Sequence, residues 1–243
     1  MISQDIKLSY LVYNYEGLNI EGLLFEPHNQ VLKNGIVFLH GHGDSCWGSG
    51  RWGKWLCDNG YYAFIPSLIG YGFSEGEPDY CGPKTIGVVI EGVKQLKSEF
   101  YFDKLGVWGG SRGAIAAALV TVKEPKLFDF AIFQSGAYDM KRNIESTTIE
   151  GIKQNYFKEA GISNEAYSER SPIFLMDRLE IPVLILHGEK DDHISVEQAQ
   201  LLDAKLTKLQ KSHELIIVPE AGHFLLKYRD KYVFPFFKKQ FEK

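Results

Sequence analysis

The stretch Gly109-Gly110-Ser111-Arg112-Gly113 sits between an apolar run, Leu105-Gly106-Val107-Trp108, and a run of small residues, Ala114-Ile115-Ala116-Ala117-Ala118-Leu119-Val120. The first run has the composition of a buried strand and the second that of a closely packed helix. The pentapeptide between them predicts a sharp strand-to-helix corner with serine at its apex. A corner of this kind strains the backbone at the serine, so the residues two before and two after must nearly lack side chains. Gly109 and Gly113 fill those two places. The helix that follows turns its N-terminus, with partial positive charge, toward the serine. The competing reading is an ordinary glycine-rich turn with an incidental serine, and the rest of the chain must decide between them.

Working outward, alternating strand and helix patterns surround the corner. Leu8 to Tyr15 and Leu18 to Phe25 are rich in β-branched and aromatic residues and meet at Glu16-Gly17, a hairpin signal. Gly35 to Leu39 is a short continuous apolar run, as expected of a strand buried on both faces. It opens into the loop His40-Gly41-His42-Gly43-Asp44. A helix is predicted from Trp52 to Asn59, a strand from Tyr61 to Ile65, a glycine-rich loop from Gly70 to Gly76, and an amphipathic helix from Thr85 to Phe100. Beyond the corner, strands are expected over Phe128 to Gln134, Pro182 to Leu186 and Glu214 to Val218, with a helix from Val196 to Leu209. From Asp139 to Arg178 about forty mostly polar residues show helical periodicity without a strand, longer than an ordinary connection. They read as a helical cap inserted over the sheet. A closing helix after His223 is expected to bend near Pro235. The predicted fold is therefore α/β: one domain over 1–243, a mostly parallel sheet with helices on both faces, an N-terminal antiparallel hairpin, and a cap at about 139–178.

Composition narrows the function classes. The 243 residues are 44% hydrophobic and 24% charged, ordinary values for a soluble globular protein. A net charge of −4 gives no basic footprint, so nucleic acid is not an expected partner. No apolar stretch approaches membrane-spanning length, and Met1-Ile2-Ser3-Gln4-Asp5 lacks the regions of a secretory signal. Cys46, Cys57 and Cys81 form an odd set without metal-ligand spacing. They read as reduced thiols of a cytoplasmic protein. No metal or organic cofactor is expected.

A lone serine hydroxyl is a poor nucleophile at neutral pH; it needs a base, and the base needs an orienting acid. In sheets of this kind reactive groups gather at the carboxyl ends of strands. His223, in Pro219-Glu220-Ala221-Gly222-His223 after the last strand, has the position of the base. His28 and His213 lie in polar context, His40 and His187 precede glycines and are expected to brace loops, and His193 adjoins two acids. The acid is Asp191 or its neighbour Asp192; the His-Gly-x-x-Asp spacing favours Asp191, with Asp139 a distant third. Negative charge on an attacked carbonyl oxygen needs two amides. The backbone N–H groups of Arg112 and His42 are the expected donors, the second made accessible by Gly41 and Gly43. Trp47, Trp52, Tyr71, Phe73 and Tyr138 lie in loops near the site; Trp47, Tyr71 and Tyr138 are candidates to wall a substrate pocket, with core packing the competing fate of each. The Arg112 side chain is expected to pair with a surface acid or to contact a substrate carboxylate. No Gly-Lys-Ser/Thr follows the glycines, so a phosphate-binding loop is excluded.

The order Ser111, Asp191, His223 is that of the α/β-hydrolase arrangement, and the chain resembles that superfamily over nearly its whole length. More narrowly it resembles the catalytic domain of the prolyl oligopeptidase family of serine peptidases. The matching segments are Gly109-Gly110-Ser111-Arg112-Gly113, Arg170-Ser171-Pro172-Ile173, His187-Gly188-Glu189-Lys190-Asp191-Asp192 and Ala221-Gly222-His223. The resemblance implies a serine acyl-enzyme mechanism and an active site beneath the cap. Two departures bear on substrate. Members of that family commonly carry a large β-propeller, for which nothing precedes the hairpin here. They also usually have tyrosine and two glycines after the nucleophile, where Arg112, Gly113 and Ala114 stand. The expected activity is hydrolysis of a carboxylic ester or small amide, with a serine-type peptidase acting on short peptides and a thioesterase as alternatives. A non-catalytic ligand-binding protein is the rival from another class, against which the complete Ser, Asp and His set argues. The expected partner is a small-molecule ester, amide or short peptide, with neither nucleic acid nor membrane.

Overall fold

The computed structural model describes residues 6–28 and 31–242. Strands β1 (Ile6–Tyr15) and β2 (Leu18–Pro27) form the predicted hairpin. Its two turn residues, Glu16 and Gly17, both have positive φ (51° and 88°), the mirror-image turn that matches the twist of paired strands. Six further strands follow: β3 (Asn34–Leu39), β4 (Tyr62–Pro66), β5 (Lys104–Gly110), β6 (Phe130–Gln134), β7 (Val183–Gly188) and β8 (His213–Val218). Together they make one sheet in the order β1-β2-β4-β3-β5-β6-β7-β8. The β1–β2 and β2–β4 pairs are antiparallel and all others parallel. This is the α/β-hydrolase fold. Placing β3, β5, β6, β7 and β8 side by side brings the loops after each of them to one edge of the sheet.

Helices cover both faces because the central strands are apolar on both. Along β3, Val37 and Leu39 enter one core and Ile36 and Phe38 the other, as the two-residue period of a strand requires. The first core packs against α2 (Pro83–Glu99), α3 (Arg112–Lys123) and α7 (Glu197–Lys208). The second packs against α1 (Gly50–Asp58) and α8 (Phe234–Phe241), where Trp52, Trp108, Phe130 and Phe237 are buried among one another. Between β6 and β7 lie α4 (Met140–Ser146), α5 (Glu150–Ala160), α6 (Asn164–Glu169) and a 3₁₀ turn, Pro172–Arg178. The polar stretch after Asp139 is thus helical, as its periodicity predicts.

The C-terminal segment is a run of helical turns, a 3₁₀ turn (Leu226–Tyr228), a π turn (Arg229–Val233) and α8, with Pro235 in the first turn of α8. Val233 and Phe234 keep helical backbone angles, and the hydrogen-bond pattern changes from π to α at the proline, which lacks an N–H to donate. Cys46, Cys57 and Cys81 are unpaired and buried. Among the described residues no helix is long and apolar enough to cross a membrane.

Candidate active site

Ser111 stands between β5 and α3 with φ 55° and ψ −120°, a conformation that strains a residue bearing a side chain. The glycines on either side explain how the corner closes. A Cβ on Gly109 would lie 2.1 Å from the Gly113 carbonyl oxygen, and one on Gly113 would lie 2.0 Å from that of Leu39. The Ser111 amide donates to the Gln134 carbonyl on the neighbouring strand (2.8 Å), fixing the apex to the sheet.

Two later loops bring their side chains to this apex. The Lys190 amide donates to the Ala221 carbonyl (2.8 Å) and the Glu189 amide to that of Val218 (3.0 Å), so the loops after β7 and β8 travel together. A Cβ on Gly188 would meet the Gly222 carbonyl oxygen at 2.2 Å, which is why glycine stands there. Within this pair, His223 Nδ1 lies 2.8 Å from Asp191 Oδ2 and His223 Nε2 lies 2.9 Å from Ser111 Oγ. With Nδ1–H donating to the carboxylate, Nε2 accepts from the serine hydroxyl. The structure therefore brings together Ser111, His223 and Asp191. Asp192 points away: its side chain is 81% exposed and accepts from His193. Asp139 instead caps α4, accepting from the Arg142 amide (3.2 Å).

Asp191 is held on every side. Its Oδ1 accepts the amides of His193 and Ile194 (2.9 Å each), and His187 Nε2 lies 3.1 Å from its Oδ2. Burial alone would push this carboxyl up, but the hydrogen bonds from His187 and His223 and the His223 charge hold it well below the usual carboxylate range. The carboxylate is thus a fixed anion against which an imidazolium can form. His187, expected to brace a loop, does so by donating to the Ile194 carbonyl (2.9 Å). His40 does likewise, accepting from the Leu68 amide (2.9 Å).

Two cavities meet at Ser111. One, of about 110 Å³, lies under α5 and is mostly apolar, with Ile115, Ala137, Ile152 and Ile194 among its walls. The other, of about 150 Å³, lies toward α1 and is lined by Phe38, Trp52, Arg51 and Phe224. His42 and His223 border both. The loop carrying His42 passes close to the nucleophile: a Cβ on Gly41 would sit 3.5 Å from Ser111 Cβ. The Arg112 amide, at the first position of α3, has no intrahelical partner.

None of the three candidate pocket residues lines either of the two cavities at Ser111. Trp47 lies outside both cavities, stacked on Tyr10 (centroids 5.7 Å apart) with its indole N–H donating to Glu21. Tyr138 is wholly buried in the core beneath the site. A tyrosine has enough apolar surface to be claimed by the core, and position in a loop does not reveal this. Tyr71 is beside the site, but its hydroxyl is engaged by the Arg112 guanidinium and by His42 Nδ1 (3.1 Å). Arg112 pairs with an acid as expected, although not a surface one: Glu159 of α5 lies 2.7 Å away, and the two side chains are 5% and 9% exposed.

Sequence reasoning missed three neighbours. His193 stacks on His223, with centroids 4.6 Å apart and planes 21° off parallel. Ser135, itself at φ 52°, donates its hydroxyl to the His223 carbonyl (3.1 Å). Asn155 of α5 donates its side-chain amide to His42 Nε2 (3.1 Å). A Ser-Gly pair at the end of β6 was a faint signal for the second; nothing in the sequence marks the others.

The chain is similar to known proteins in sequence and in fold. A family model described as the prolyl oligopeptidase family matches residues 54–243. The uncharacterized peptidase YtmA of Bacillus subtilis (strain 168) is 27% identical over 219 residues, 87% of this chain and 84% of that protein. The Pyrococcus horikoshii acylaminoacyl peptidase superposes with a TM-score of 0.83 at 18% identity; the match covers 98% of this chain but only 42% of that one. An esterase of Pyrococcus furiosus superposes with a TM-score of 0.74 at 18% identity, covering 96% of this chain and 88% of its own.

Proposed function

Because the chain belongs to the prolyl oligopeptidase family, we propose that it is a serine hydrolase acting on carboxylic esters or small amides through an acyl-enzyme, with Ser111 as nucleophile. The observation that carries this reading is the unbroken run from Asp191 through His223 to Ser111, at 2.8 and 2.9 Å, on a strained corner. His223 Nε2 takes the Ser111 proton as Oγ attacks the substrate carbonyl, and the resulting imidazolium is balanced by Asp191. The amides of His42 and Arg112 hold the oxyanion. His223 then returns the proton to the departing alcohol or amine. Water, deprotonated by the same nitrogen, attacks the acyl carbonyl, and Nε2 passes that proton to Ser111 Oγ as the acyl–oxygen bond breaks and the acid leaves.

The apolar cavity under α5 suits the acyl part, since it offers no unpaired charge: its one guanidinium, Arg112, is already matched by Glu159. The more open cavity toward α1 suits the leaving group and the entry of water. A peptidase activity is the second reading, favoured by the name of YtmA and by the archaeal peptidase. Cleaving an amide demands a protonated leaving amine and a longer hold on the substrate, whereas an ester needs less of either. The deciding measurement compares p-nitrophenyl esters, thioesters and aminoacyl p-nitroanilides on one preparation. Short-chain esters are expected to lead the anilides by at least about tenfold in kcat/KM, roughly 1.4 kcal/mol in the barrier. An aminoacyl or dipeptidyl anilide that outruns the esters makes the protein a peptidase, and a leading thioester makes it a thioesterase.

A further inference from the structure

The helix α5 does more than roof a cavity. Asn155 and Glu159 are four residues apart on it and so project from the same face. Asn155 grips the imidazole of His42 (3.1 Å), and Glu159 grips the guanidinium of Arg112 (2.7 Å). Those are the two residues whose backbone amides face the attacked carbonyl in the reading above. The Tyr71 hydroxyl touches both, accepting from Arg112 and lying 3.1 Å from His42 Nδ1. Glu159 also accepts from the Tyr80 amide (3.1 Å), and the Arg112 guanidinium lies 4.0 Å over the Tyr80 ring. The five side chains, Asn155, His42, Tyr71, Arg112 and Glu159, make one connected network, from α5 to the loop after β3, the loop after β4 and the start of α3.

We propose that Asn155, Glu159 and Tyr71 are positioning residues for the oxyanion hole, so that the two amides are in register only while α5 is docked. This rests on the assignment of the His42 and Arg112 amides as oxyanion donors. The physical need is plain at His42. Its peptide lies between Gly41 and Gly43, the latter at φ 74°, and glycine on both sides leaves a loop with wide conformational freedom. An amide must be held within about 0.5 Å to stabilise an oxyanion, and supporting side chains supply that constraint. The His42 ring is clamped at both nitrogens, by Tyr71 and Asn155, which fixes the peptide that carries it. At Arg112 a buried ion pair plays the same part. Such a pair adds little net stability against the cost of desolvating it, but it specifies one geometry.

The positioning role makes a demand that a mere roof does not. Interactions that form only in the transition state lower kcat when lost and leave substrate binding alone. Removing an oxyanion donor outright costs about 10²–10³ in kcat, so displacing one should cost about 10–100-fold. The experiment uses the full chain and the variants Asn155→Leu, Tyr71→Phe and Glu159→Gln, each checked for fold by near-ultraviolet circular dichroism and thermal melting. With a p-nitrophenyl ester, kcat is expected to fall about 10–100-fold while KM stays within about threefold. The inhibition constant of a trifluoromethyl ketone, whose adduct places an oxyanion in the hole, is expected to rise by the same factor as kcat/KM falls. Asn155→Leu removes one partly exposed hydrogen bond, so it keeps the test meaningful if Glu159→Gln fails to fold. Folded variants with wild-type kcat, or with a raised KM alone, overturn the proposal and leave α5 as a wall. Wild-type protein that neither turns over the ester nor reacts with a fluorophosphonate overturns the hydrolase reading itself, and the proposal with it.

Discussion

The corner at Ser111 and the face of α5 that meets it are built on opposite plans. The corner is a backbone device: Gly109 and Gly113 are there because any Cβ would collide with a carbonyl at about 2 Å. The α5 contact is a side-chain device, in which Asn155 and Glu159 reach across to His42 and Arg112. Backbone collisions tolerate one residue type and leave a signature in the chain. Side-chain pairs tolerate many arrangements and leave almost none. The first kind of device should break the fold when altered; the second should change the chemistry and spare the fold.

Gly113→Ala is the harshest test of that contrast. The added methyl would sit 2.0 Å from the Leu39 carbonyl oxygen and 2.7 Å from that of His40, both backbone atoms of a central strand end. Neither can move without disturbing β3, so a loss above about 4 kcal/mol is expected, at the extreme of single substitutions. Chemical denaturation measures it; a variant as stable as the parent would show that the corner is not held by this collision. Ser111→Ala should do the reverse. It keeps the backbone and removes the hydroxyl, so a fluorophosphonate should no longer label the protein and turnover should fall by about 10⁶, with the melting temperature nearly unchanged. Labelling that persists moves the nucleophile elsewhere.

Next in size come the two neighbouring acids. Asp191→Asn should cost about 10⁴ in kcat, the scale seen when the acid of a serine triad is removed, while Asp192→Asn should cost less than about tenfold because its carboxylate is exposed and meets only His193. The opposite ranking would reassign the acid. There is also a pH signature. The Asp191 carboxyl is held below its unfolded value of about 3.9. It therefore contributes stability that is fully present above that value and is lost as pH falls through the folded one. The stability of the parent protein should fall more steeply below about pH 4 than that of Asp191→Asn; parallel curves would mean that this carboxyl is not perturbed.

The same contrast explains what the sequence reveals. Ser111, Asp191 and His223 lie at strand ends where glycines frame a loop; chain order points to Ser111 and His223, and the His-Gly-x-x-Asp spacing favours Asp191 over Asp192. The hairpin, the parallel sheet and the helical stretch after Asp139 follow from periodicity that the packing of the two cores enforces. Glu159 is different. It sits in a polar helix, 47 residues from Arg112, and only the tertiary fold buries the two together. His193 was legible as a neighbour of two acids but not as a ring stacked on His223. Tyr138 and Trp47 failed as pocket residues for one reason: a large aromatic in a loop has equal claims on a cavity, the core and the surface, and sequence does not weigh them.

Trp47 offers the smallest expected effect on catalysis and the cleanest check on that last point. Its indole N–H donates to Glu21 Oε2 (2.9 Å), while the other oxygen accepts from the Ser67 hydroxyl (2.8 Å) and the Phe73 amide (2.9 Å). Glu21 is 1% exposed. Burial would push its carboxyl up, but the Phe73 amide, Ser67 and Trp47 hold it below its ordinary value. Trp47→Phe keeps a ring to stack on Tyr10 and deletes one donor to a buried charge. Hydrogen bonds to charged groups contribute about 1.5–3 kcal/mol, and the half-exposed indole places this one at the lower end. At 2–4 °C per kcal/mol for a chain of this size, the melting temperature should fall by about 3–6 °C. The stabilisation exists only while Glu21 is ionised, so the gap between parent and variant should narrow as pH drops through the carboxylate range. Activity should not follow: kcat/KM for the p-nitrophenyl ester is expected to stay within about twofold, because the ring lies outside both cavities at Ser111. A variant that melts with the parent but loses tenfold or more in kcat/KM would return Trp47 to the substrate. It would also mean that the loop after β3 reaches further over the site than its contact with Glu21 allows.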